Sequence, residues 1–358
     1  MAMRAAYLTG HGGNEVVCIG ERPVPSLHPG HVLVEMAAAT LNQVDLYMRD
    51  SGAGITHSLP QILGVDGAGI VVQAAGQVTG WQAGDSVTLY PAIGCAACEY
   101  CARGETMFCL KVRYLGEHRD GTFARYVSVP AANLFRLPPH LDYAQGAALG
   151  VAWLTAWRMV ITQARLRPGE TVLIFGIGGG VSQAAMHIAL RSGARVLVTS
   201  RDADKQAKAL AAGAELAFPS GPEAVEGVMA CTAGRGADVV IENVGQALWP
   251  FALRSLARGG RLVTCGATSG DAPSAELRRL FVRQLNIFGS TLGTPGEFAE
   301  LLRFVEVNGV IPAIESRFPL HLLHSAFDRI EAGEQCGKLA VEIAGPAGPA
   351  TPEKAFKS

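Results

Sequence analysis

Val172-Leu-Ile-Phe175 is an uninterrupted apolar run, and Gly176-Ile-Gly-Gly-Gly-Val-Ser182 follows it directly. The next residues, 183–190, have the composition of a helix. Glycines at such a turn let the backbone approach a pyrophosphate, whose charge is then met by free amides at the helix N-terminus. A strand, a glycine-rich turn and a helix in this order predict dinucleotide binding, whereas a lone Gly-x-Gly is usually only a turn. The expected contacts are Gly176, Gly178, Gly179, Gly180 and Val181.

Apolar strands and alanine-rich helices alternate after this turn. Strands are predicted at 171–175, 195–199, 239–242, 261–265 and 287–290, with helices at 182–191 and 203–212. This alternation predicts a parallel sheet covered by helices on both faces. The earlier part of the chain has short strands between Gly/Pro turns, at 3–8, 32–38, 68–74 and 86–89, which predict a small barrel-like β domain. We expect the last apolar strand, 339–343, to return to that first domain.

The strand after the glycine turn ends in Val198-Thr-Ser-Arg-Asp202. An acid at the end of this strand would hydrogen-bond the ribose hydroxyls of NAD, but none occupies the expected position. Ser200 and Arg201 can instead hold a 2′-phosphate, with Lys205 one helical turn further on as a second cation, which predicts NADPH. In the alternative interpretation Arg201 and Lys205 are solvated charges and Asp202 caps a helix. A two-residue shift in register would make Asp202 the ribose acid and favour NAD.

Half of the eight cysteines, Cys95, Cys98, Cys101 and Cys109, lie in one short segment. Four thiolates in one loop form the closed ligand set that a structural Zn²⁺ prefers, while disulfides are the alternative. Four protein ligands leave no position for water or substrate. One structural zinc should therefore stabilise a lobe, residues 94–110, without taking part in chemistry.

The composition narrows the class of protein. Among 358 residues 49% are hydrophobic and 17% charged, as in a well-packed globular protein of two domains. The formal net charge of −1 offers no field that would gather nucleic acid or an acidic membrane surface. The N-terminus does not have the pattern of a signal peptide, and no apolar run approaches the roughly 20 residues of a membrane span. We therefore expect a cytoplasmic protein that binds a small-molecule substrate, with neither nucleic acid nor membrane as a partner.

The chain resembles the medium-chain dehydrogenase/reductase superfamily, which contains zinc alcohol dehydrogenases and quinone oxidoreductases. The resemblance runs from Arg4 to Ile343. The motifs that support it are the cysteine lobe, the glycine turn, Gly64-Val-Asp-Gly-Ala-Gly69, Asp120-Gly-Thr-Phe-Ala-Arg-Tyr-Val127, Asp238-Val-Val-Ile-Glu-Asn-Val-Gly245 and Gly337-Lys338. It implies an α/β fold in which a GroES-like β-barrel-type catalytic domain is combined with a Rossmann doubly wound parallel sheet.

The same resemblance implies a discontinuous organisation. Residues 1–135 and 310–345 would form the catalytic domain, residues 136–309 would form the Rossmann domain that binds NADP(H), and the active site would lie in the cleft between them. Residues 346–358, rich in Pro, Gly, Ala and Lys, are predicted to be a flexible tail. The family and the strand at 287–290 suggest a homodimer or homotetramer built by extending the Rossmann sheet.

Further cofactor contacts follow from the resemblance by position. They fall on strand ends and loops around the nicotinamide and ribose, with Lys338 expected near the pyrophosphate. The residues concerned are Thr155, Asn243, Gly266, Ala267, Ser290, Thr291 and Lys338.

The resemblance fails where zinc alcohol dehydrogenases bind their catalytic metal. Those enzymes carry a Cys-x-x-Asp segment, a Gly-His-Glu segment and a third ligand near the start of the cofactor domain. Here the corresponding residues are Asn42-Gln-Val-Asp45, Gly64-Val65-Asp66 and Gly150-Val151. Valine cannot bind zinc and asparagine is a poor ligand, so we predict that the catalytic zinc is absent.

Leu41-Asn-Gln-Val-Asp-Leu-Tyr-Met-Arg49 instead resembles the Asn-x-x-Asp-x-Tyr-x-Arg stretch of metal-free quinone oxidoreductases and enoyl reductases. This implies hydride addition to a quinone or to the β carbon of an α,β-unsaturated carbonyl such as an enoyl-CoA, with hydrogen-bond donors holding the enolate. Asn42 and Tyr47 are the expected donors, and Asp45 an orienting residue or a partner for Arg49. The alternatives are a turn residue for Asn42, a core residue for Tyr47 and a surface ion pair for Asp45 with Arg49.

Two other functions stay open at this point. One is an NAD(P)-dependent alcohol or aldehyde dehydrogenase with an unorthodox metal site. The other is a non-catalytic NADPH-binding protein.

Overall fold

The protein is described here from a computed structural model that covers residues 1–55 and 57–343, so the predicted tail 346–358 lies outside the described residues. The chain forms two compact units. Met1–Val151 and Thr294–Gly333 make up the first, together with the last described strand, and Ala152–Gly293 with Glu334–Gly337 make up the second. The boundaries thus fall at 151/152 and 293/294, whereas the family resemblance implies 135/136 and 309/310.

The first unit is built mainly from strands. Before the second unit these are β1 (Ala2–Leu8), β2 (Val17–Pro23), β3 (His31–Thr40), β4 (Gln61–Ile62), β5 (Ala68–Ala74), β6 (Ser86–Leu89), β7 (Ala92–Ile93), β8 (Arg113–Tyr114), β9 (Tyr126–Pro130) and β10 (Leu134–Arg136). The helices in this part are α1 (Gln43–Asp50), α2 (Glu99–Ala102) and α3 (Tyr143–Ala147).

The second unit alternates strands and helices. Its strands are β11 (Thr171–Ile174), β12 (Arg195–Thr199), β13 (Leu216–Phe218), β14 (Ala237–Glu242), β15 (Leu256–Thr264) and β16 (Asn286–Gly289). Its α-helices are α4 (Leu154–Trp157), α5 (Gly180–Arg191), α6 (Ala203–Ala211), α7 (Pro222–Cys231), α8 (Trp249–Ser255) and α9 (Leu277–Arg283). The chain then returns to the first unit with α10 (Pro295–Val307), β17 (Ile314–Pro319), α11 (Leu323–Glu331) and β18 (Lys338–Glu342).

In the first unit, β3 is the strand on which the main sheet is centred. The sheet order is β10-β6-β5-β3-β18-β17, and β9 also pairs with β3. Val32, Val34 and Met36 alternate with more exposed neighbours, because successive side chains of a strand point to opposite faces and one face of β3 lies against the core. The last strand, β18, returns to the first unit, as expected from the sequence, and pairs antiparallel with β3.

In the second unit, all strand pairs of the six-stranded sheet are parallel and the order is β13-β12-β11-β14-β15-β16. This is the doubly wound order in which ligands bind beyond the carboxyl ends of the strands, where the winding changes direction between β11 and β14. All four residues of β11 are buried, as in a strand covered on both faces. The predicted fold class is confirmed.

None of the helices in the described ranges has the length and apolar character needed to cross a membrane.

Close packing of β5 against β3 generates the first prediction. A Cβ on Gly69 would lie 2.1 Å from the carbonyl oxygen of Glu35, whereas a Cβ on Gly76 would meet nothing within 4 Å. Gly69→Ala should therefore force the two strands apart and lower the free energy of unfolding by about 2 kcal/mol or more. Gly76→Ala, the matched control, should change it by less than about 0.5 kcal/mol. Urea unfolding of both variants measures this, and equal effects would contradict the packing described.

Candidate active site and zinc lobe

The glycine turn of the second unit has the geometry of a phosphate-binding loop. Gly176 has a φ of +66°, a conformation that side-chain-bearing residues rarely adopt, and Gly179 is the N-cap of α5. Gly179 donates its N–H to the Gly176 carbonyl over 3.0 Å, which closes the turn. The first amides of α5 have no partner within the helix, so they can meet an anion.

Ser182 occupies the place where a further glycine is common, and the structure shows how it is accommodated. Its side chain is fully buried, and its hydroxyl donates to the Phe175 carbonyl at the end of β11 over 2.8 Å. The same hydroxyl accepts from Asn243 Nδ2 over 3.0 Å. Ser182 thus links the helix to the ends of β11 and β14. Asn243, a predicted cofactor contact, lies directly beside the turn.

The residues predicted to contact the ribose or its 2′-phosphate follow the end of β12. Asp202 is the N-cap of α6, because its Oδ1 accepts from the amides of Asp204 and Lys205 over 2.8 and 3.1 Å. These backbone hydrogen bonds lower the pKa of Asp202. Arg201 is exposed, and Lys205 Nζ lies 3.1 Å from where a Cβ on Gly178 would be. Lys205 therefore lies over the glycine turn.

Ser200 differs in its surroundings from these charged residues. It is buried, and its hydroxyl accepts from the Asp202 amide over 3.0 Å. Its assignment as a 2′-phosphate contact stays a prediction, because the hydroxyl is engaged by the backbone at the start of α6.

Glu242 at the end of β14 organises the neighbouring loops and was not singled out from the sequence. Its Oε1 accepts from the amides of Val244 and Gly245 over 2.7 and 2.8 Å. Burial raises its pKa, while these amides oppose the shift. A Cβ on Gly266 would lie 2.9 Å from the Asn243 carbonyl, so the loop after β15 packs closely on the loop after β14.

The other predicted cofactor contacts lie elsewhere in the second unit. Ser290 follows β16, and its Oγ is buried without a hydrogen-bond partner among the described residues. Thr155 is buried in α4, between two π-helical segments, Leu149–Trp153 and Arg158–Gln163. Contacts of Thr155, Ala267 and Thr291 with a cofactor stay predictions.

The four clustered cysteines of the first unit converge on one point. All four Sγ atoms lie within 4.8 Å of one another, and Cys95 Sγ is 4.0 Å from Cys101 Sγ. Four sulfurs at about 2.3 Å from a tetrahedral zinc would be separated by roughly 3.8 Å, so the arrangement fits a structural zinc. The Cys95 amide donates to Cys109 Sγ over 3.5 Å, a contact that favours the thiolate.

A buried polar network joins the end of β3, the start of α1 and the start of β18. Asp66 is fully buried and accepts from the Thr40 amide over 2.8 Å, from the Thr40 hydroxyl, and from Asn42 Nδ2 over 2.8 Å. Lys338 Nζ donates to Asn42 Oδ1 over 2.6 Å and to the Leu41 carbonyl, and lies 3.9 Å from Asp66 Oδ2. These residues form the Lys338 network.

Asn42 is fully engaged within this network. Its Nδ2 donates to the Thr40 carbonyl over 3.1 Å as well as to Asp66, and its Oδ1 accepts from Lys338. The expectation that the amide donates to a substrate oxygen is therefore wrong for the described arrangement, because both N–H groups already have acceptors. Asn42 links the end of β3, Asp66 and Lys338 through these hydrogen bonds.

Asp45 is also fully buried, but it has fewer donors than Asp66. Its Oδ2 accepts from the Asn42 amide over 2.8 Å, and its Oδ1 has no partner among the described residues. Burial raises the pKa of Asp45 to about 8, the Asn42 amide opposes this, and the charge of Asp66 adds to it. Burial raises the pKa of Asp66 as well, but Lys338, Asn42 and Thr40 oppose that shift, so the ionised form is favoured more at Asp66 than at Asp45.

Arg49 does not pair with Asp45, which corrects the predicted partnership. Its guanidinium is buried, and it contacts Glu331 Oε1 over 2.6 Å and Asp50 Oδ1 over 2.6 Å. Asp45 is held instead at the N-terminal end of the same helix. Tyr47 is 38% exposed and therefore not a core residue.

The positions that carry catalytic zinc ligands in zinc alcohol dehydrogenases surround the Lys338 network. Val65 is buried next to Asp66. A Cβ on Gly150 would lie 2.7 Å from the Leu89 carbonyl and 3.2 Å from Asp66 Cβ, so Gly150 packs directly against Asp66 and leaves no room for a ligand side chain. Within the described residues, the four cysteines are the one group of three or more His, Cys, Asp or Glu with metal-binding spacing.

Comparison with known proteins agrees with both units. A family model described as alcohol dehydrogenase GroES-like domain matches residues 28–139, and one described as zinc-binding dehydrogenase matches residues 180–307. A zinc-type alcohol dehydrogenase-like protein of Schizosaccharomyces pombe is 31% identical over 332 residues, which cover 90% of this chain and 94% of that protein.

Two solved structures are similar over nearly the whole chain. An NAD-dependent alcohol dehydrogenase is 36% identical, with a TM-score of 0.93 over 96% of this chain and 100% of that one. The 2-octenoyl-CoA carboxylase reductase CinF, solved with NADP and 2-octenoyl-CoA, is 26% identical, with a TM-score of 0.87 over 97% of this chain and 88% of that one.

A GroES-like unit and a doubly wound unit with a phosphate-binding turn define a nicotinamide-dependent oxidoreductase fold. The chain belongs to the medium-chain dehydrogenase/reductase superfamily.

The proton on Asp45 generates a prediction for pH dependence. In the unfolded chain Asp45 ionises near pH 4, but in the folded protein it stays protonated up to about pH 8. Folding stability contributed by this group is therefore lost progressively as the pH rises from 4 to 8. Asp45→Asn keeps an acceptor for the Asn42 amide and removes the titration, so its stability relative to wild type should rise by on the order of 3 kcal/mol between pH 5 and pH 8.

Urea unfolding at four pH values measures this change. Asp271→Asn, at an exposed site, serves as the control and should leave the pH dependence of wild type unaltered. Parallel stability curves for wild type and Asp45→Asn would show that Asp45 is ionised in the folded protein.

Proposed function

We propose that this oxidoreductase is an NADPH-dependent reductase that adds hydride to an activated double bond or a quinone without a catalytic zinc. The observation that carries the proposal is the Lys338 network, which occupies the region where the family's zinc alcohol dehydrogenases hold their metal. Val65 offers no ligand atom, Gly150 has no room for a side chain, and Asn42 is engaged by Asp66 and Lys338. A zinc ion in this region would have to break several buried hydrogen bonds.

The chemistry of such a reduction suits a site without a metal. A bound nicotinamide dinucleotide supplies the hydride. Negative charge then develops on the carbonyl oxygen of the substrate, where hydrogen-bond donors can stabilise it, whereas alcohol oxidation calls for a Lewis acid to hold an alkoxide. Tyr47 is the donor at the partly exposed face of α1, and burial raises its pKa, so its proton is retained. The Lys338 network holds α1 in position behind it.

The assignment of NADPH over NADH rests on the residues around α6. The Asp202 carboxylate caps α6, so it is not available to accept hydrogen bonds from the ribose hydroxyls. Arg201 and Lys205 supply positive charge nearby. CinF, a fold relative, was solved with NADP, whereas another relative is named as NAD-dependent. The charges at Arg201 and Lys205 favour the phosphorylated cofactor.

Removing one of these charges should change cofactor preference. Arg201→Ala is expected to raise the KM for NADPH about 10- to 100-fold, because a charge-assisted contact with phosphate contributes about 1.5–3 kcal/mol. The KM for NADH should stay within about threefold of the wild-type value. Lys208→Ala, an exposed cation one turn beyond Lys205, is the control and should alter neither. Equal losses with both cofactors would assign Arg201 to a part of the cofactor that NADH shares.

The experiment for the reaction itself combines metal content with acceptor specificity. Freshly purified protein should contain one zinc per chain and oxidise NADPH in the presence of 2-cyclohexenone, crotonyl-CoA or 1,4-benzoquinone. Since relatives are named alcohol dehydrogenases, the second candidate is alcohol oxidation. Two zincs per chain, or turnover only with an alcohol and NAD, would establish that alternative and overturn the proposal. Tight NADPH binding without any turnover would indicate a non-catalytic binding protein.

A further inference from the structure

Glu117 lies in a tight turn that packs against the chain segment preceding Asp66 of the Lys338 network. The turn is closed by the Gly116 amide, which donates to the Arg119 carbonyl over 2.8 Å. A Cβ on Gly116 would lie 2.6 Å from the carbonyl oxygen of Gly64. The turn therefore packs against the backbone that leads into Val65 and Asp66.

The Glu117 side chain is a titratable group outside the Lys338 network. It is partly buried, and its carboxyl has neither a hydrogen bond nor an ion pair with any residue in the described ranges. Burial raises its pKa to about 7. The carboxyl also raises the pKa values of Asp45 in α1 and Tyr114 in its own turn, so it lies close enough to both to interact with them.

The other titratable groups near Glu117 come from two segments. His118 follows it, and His118 Nδ1 accepts from the Tyr114 amide over 3.2 Å. His57, in the loop after α1, lies beside the Glu117 backbone, which favours the protonated form of that imidazole, while burial lowers its pKa. Neither histidine makes an ion pair with Glu117. The partly exposed carboxyl is thus an uncompensated acid that solvent can still reach.

Reduction of an enone needs a proton source, because hydride addition leaves an enolate that must gain a proton at the α carbon, and a positioned acid supplies that proton faster than water does. Resting on the proposed function, we propose that Glu117 is the catalytic acid that delivers this proton. Hydride adds to the β carbon as the carbon–carbon π bond breaks, and the enolate electron pair then takes the proton from the Glu117 carboxyl. Glu117 is left as a carboxylate, and it regains a proton from water on its exposed side. Proton transfer by a positioned side chain typically contributes about 10²- to 10⁴-fold in rate.

The test compares substrates that do and do not need a proton on carbon. Glu117→Gln should lower kcat with 2-cyclohexenone at least about 10²-fold, while reduction of 1,4-benzoquinone, whose oxygens are protonated readily by water, changes less than about threefold. The wild-type rate with the enone should fall above pH 7 as Glu117 ionises, and the residual rate of the variant should lack that limb. Glu21→Gln, at an exposed carboxylate of the same unit, is the control and should behave as wild type.

Three further tests separate catalysis from a merely structural role. With 2-methyl-2-cyclohexenone, wild type should protonate the α carbon on one face, and Glu117→Gln should give a racemic product. In protein without cofactor, the infrared carbonyl stretch of a protonated carboxylic acid should titrate near pH 7 and be absent from Glu117→Gln. Glu117→Asp should retain the fold and recover part of the enone rate.

The outcomes distinguish this inference from the proposed function. If wild type reduces the enone but Glu117→Gln keeps its rate and facial selectivity, Glu117 is not the acid, although the reductase proposal stands. If the variant loses enone and quinone reduction equally, Glu117 has a structural role and the inference is overturned. If wild type fails to oxidise NADPH with any of the acceptors tested, the proposed function fails, and this inference fails with it.

Discussion

Asp66 is a fully buried carboxyl, and hydrogen-bond donors from separate segments of the first unit converge on it. A carboxylate without water is costly unless hydrogen bonds and an opposite charge surround it. Thr40 supplies two donors from the end of β3, Asn42 supplies one from the start of α1, and Lys338 brings the cation from the start of β18. Because these donors come from three separate segments, the charge fixes the relative positions of all three. Asp45 is buried with fewer donors, and this burial, together with the nearby Asp66 carboxyl, raises its pKa.

The second unit depends on a different kind of constraint. Its turn, helix and strand ends are positioned by contacts between neighbours along the sheet: Ser182 with Phe175, Ser182 with Asn243, and Glu242 with the loop that follows it. These contacts are neutral hydrogen bonds or bonds to backbone amides. In the second unit, backbone amides at the glycine turn can therefore contact an anion. In the first unit, the corresponding polar contacts are made by specific side chains.

This difference explains what could be predicted from the sequence. The doubly wound sheet, the glycine turn and the four-cysteine cluster are encoded locally, by residues within about one element of each other, and they were predicted correctly as fold and motif. Lys338 contacts Asn42 across 296 positions, and Arg49 contacts Glu331 across 282 positions. Neither pairing leaves a local pattern, so the sequence suggested the nearer partner Asp45 for Arg49, and it gave no indication that Lys338 contacts Asn42. Glu117 lies in no motif at all, because its environment depends on how Gly116 packs against Gly64.

The pairing of β18 with β3 has a consequence for how the protein is made. On the ribosome, β3 and Asp66 emerge early, whereas Lys338 and β18 emerge after the whole second unit has been synthesised. Until then the end of β3 is an open sheet edge, of the kind that invites pairing with other chains, and Asp66 lacks its cation. All six strands of the second unit's sheet lie between Thr171 and Gly289, so they are synthesised before β18. Chaperone occupancy during translation should accordingly be governed by the first unit, although its residues appear first.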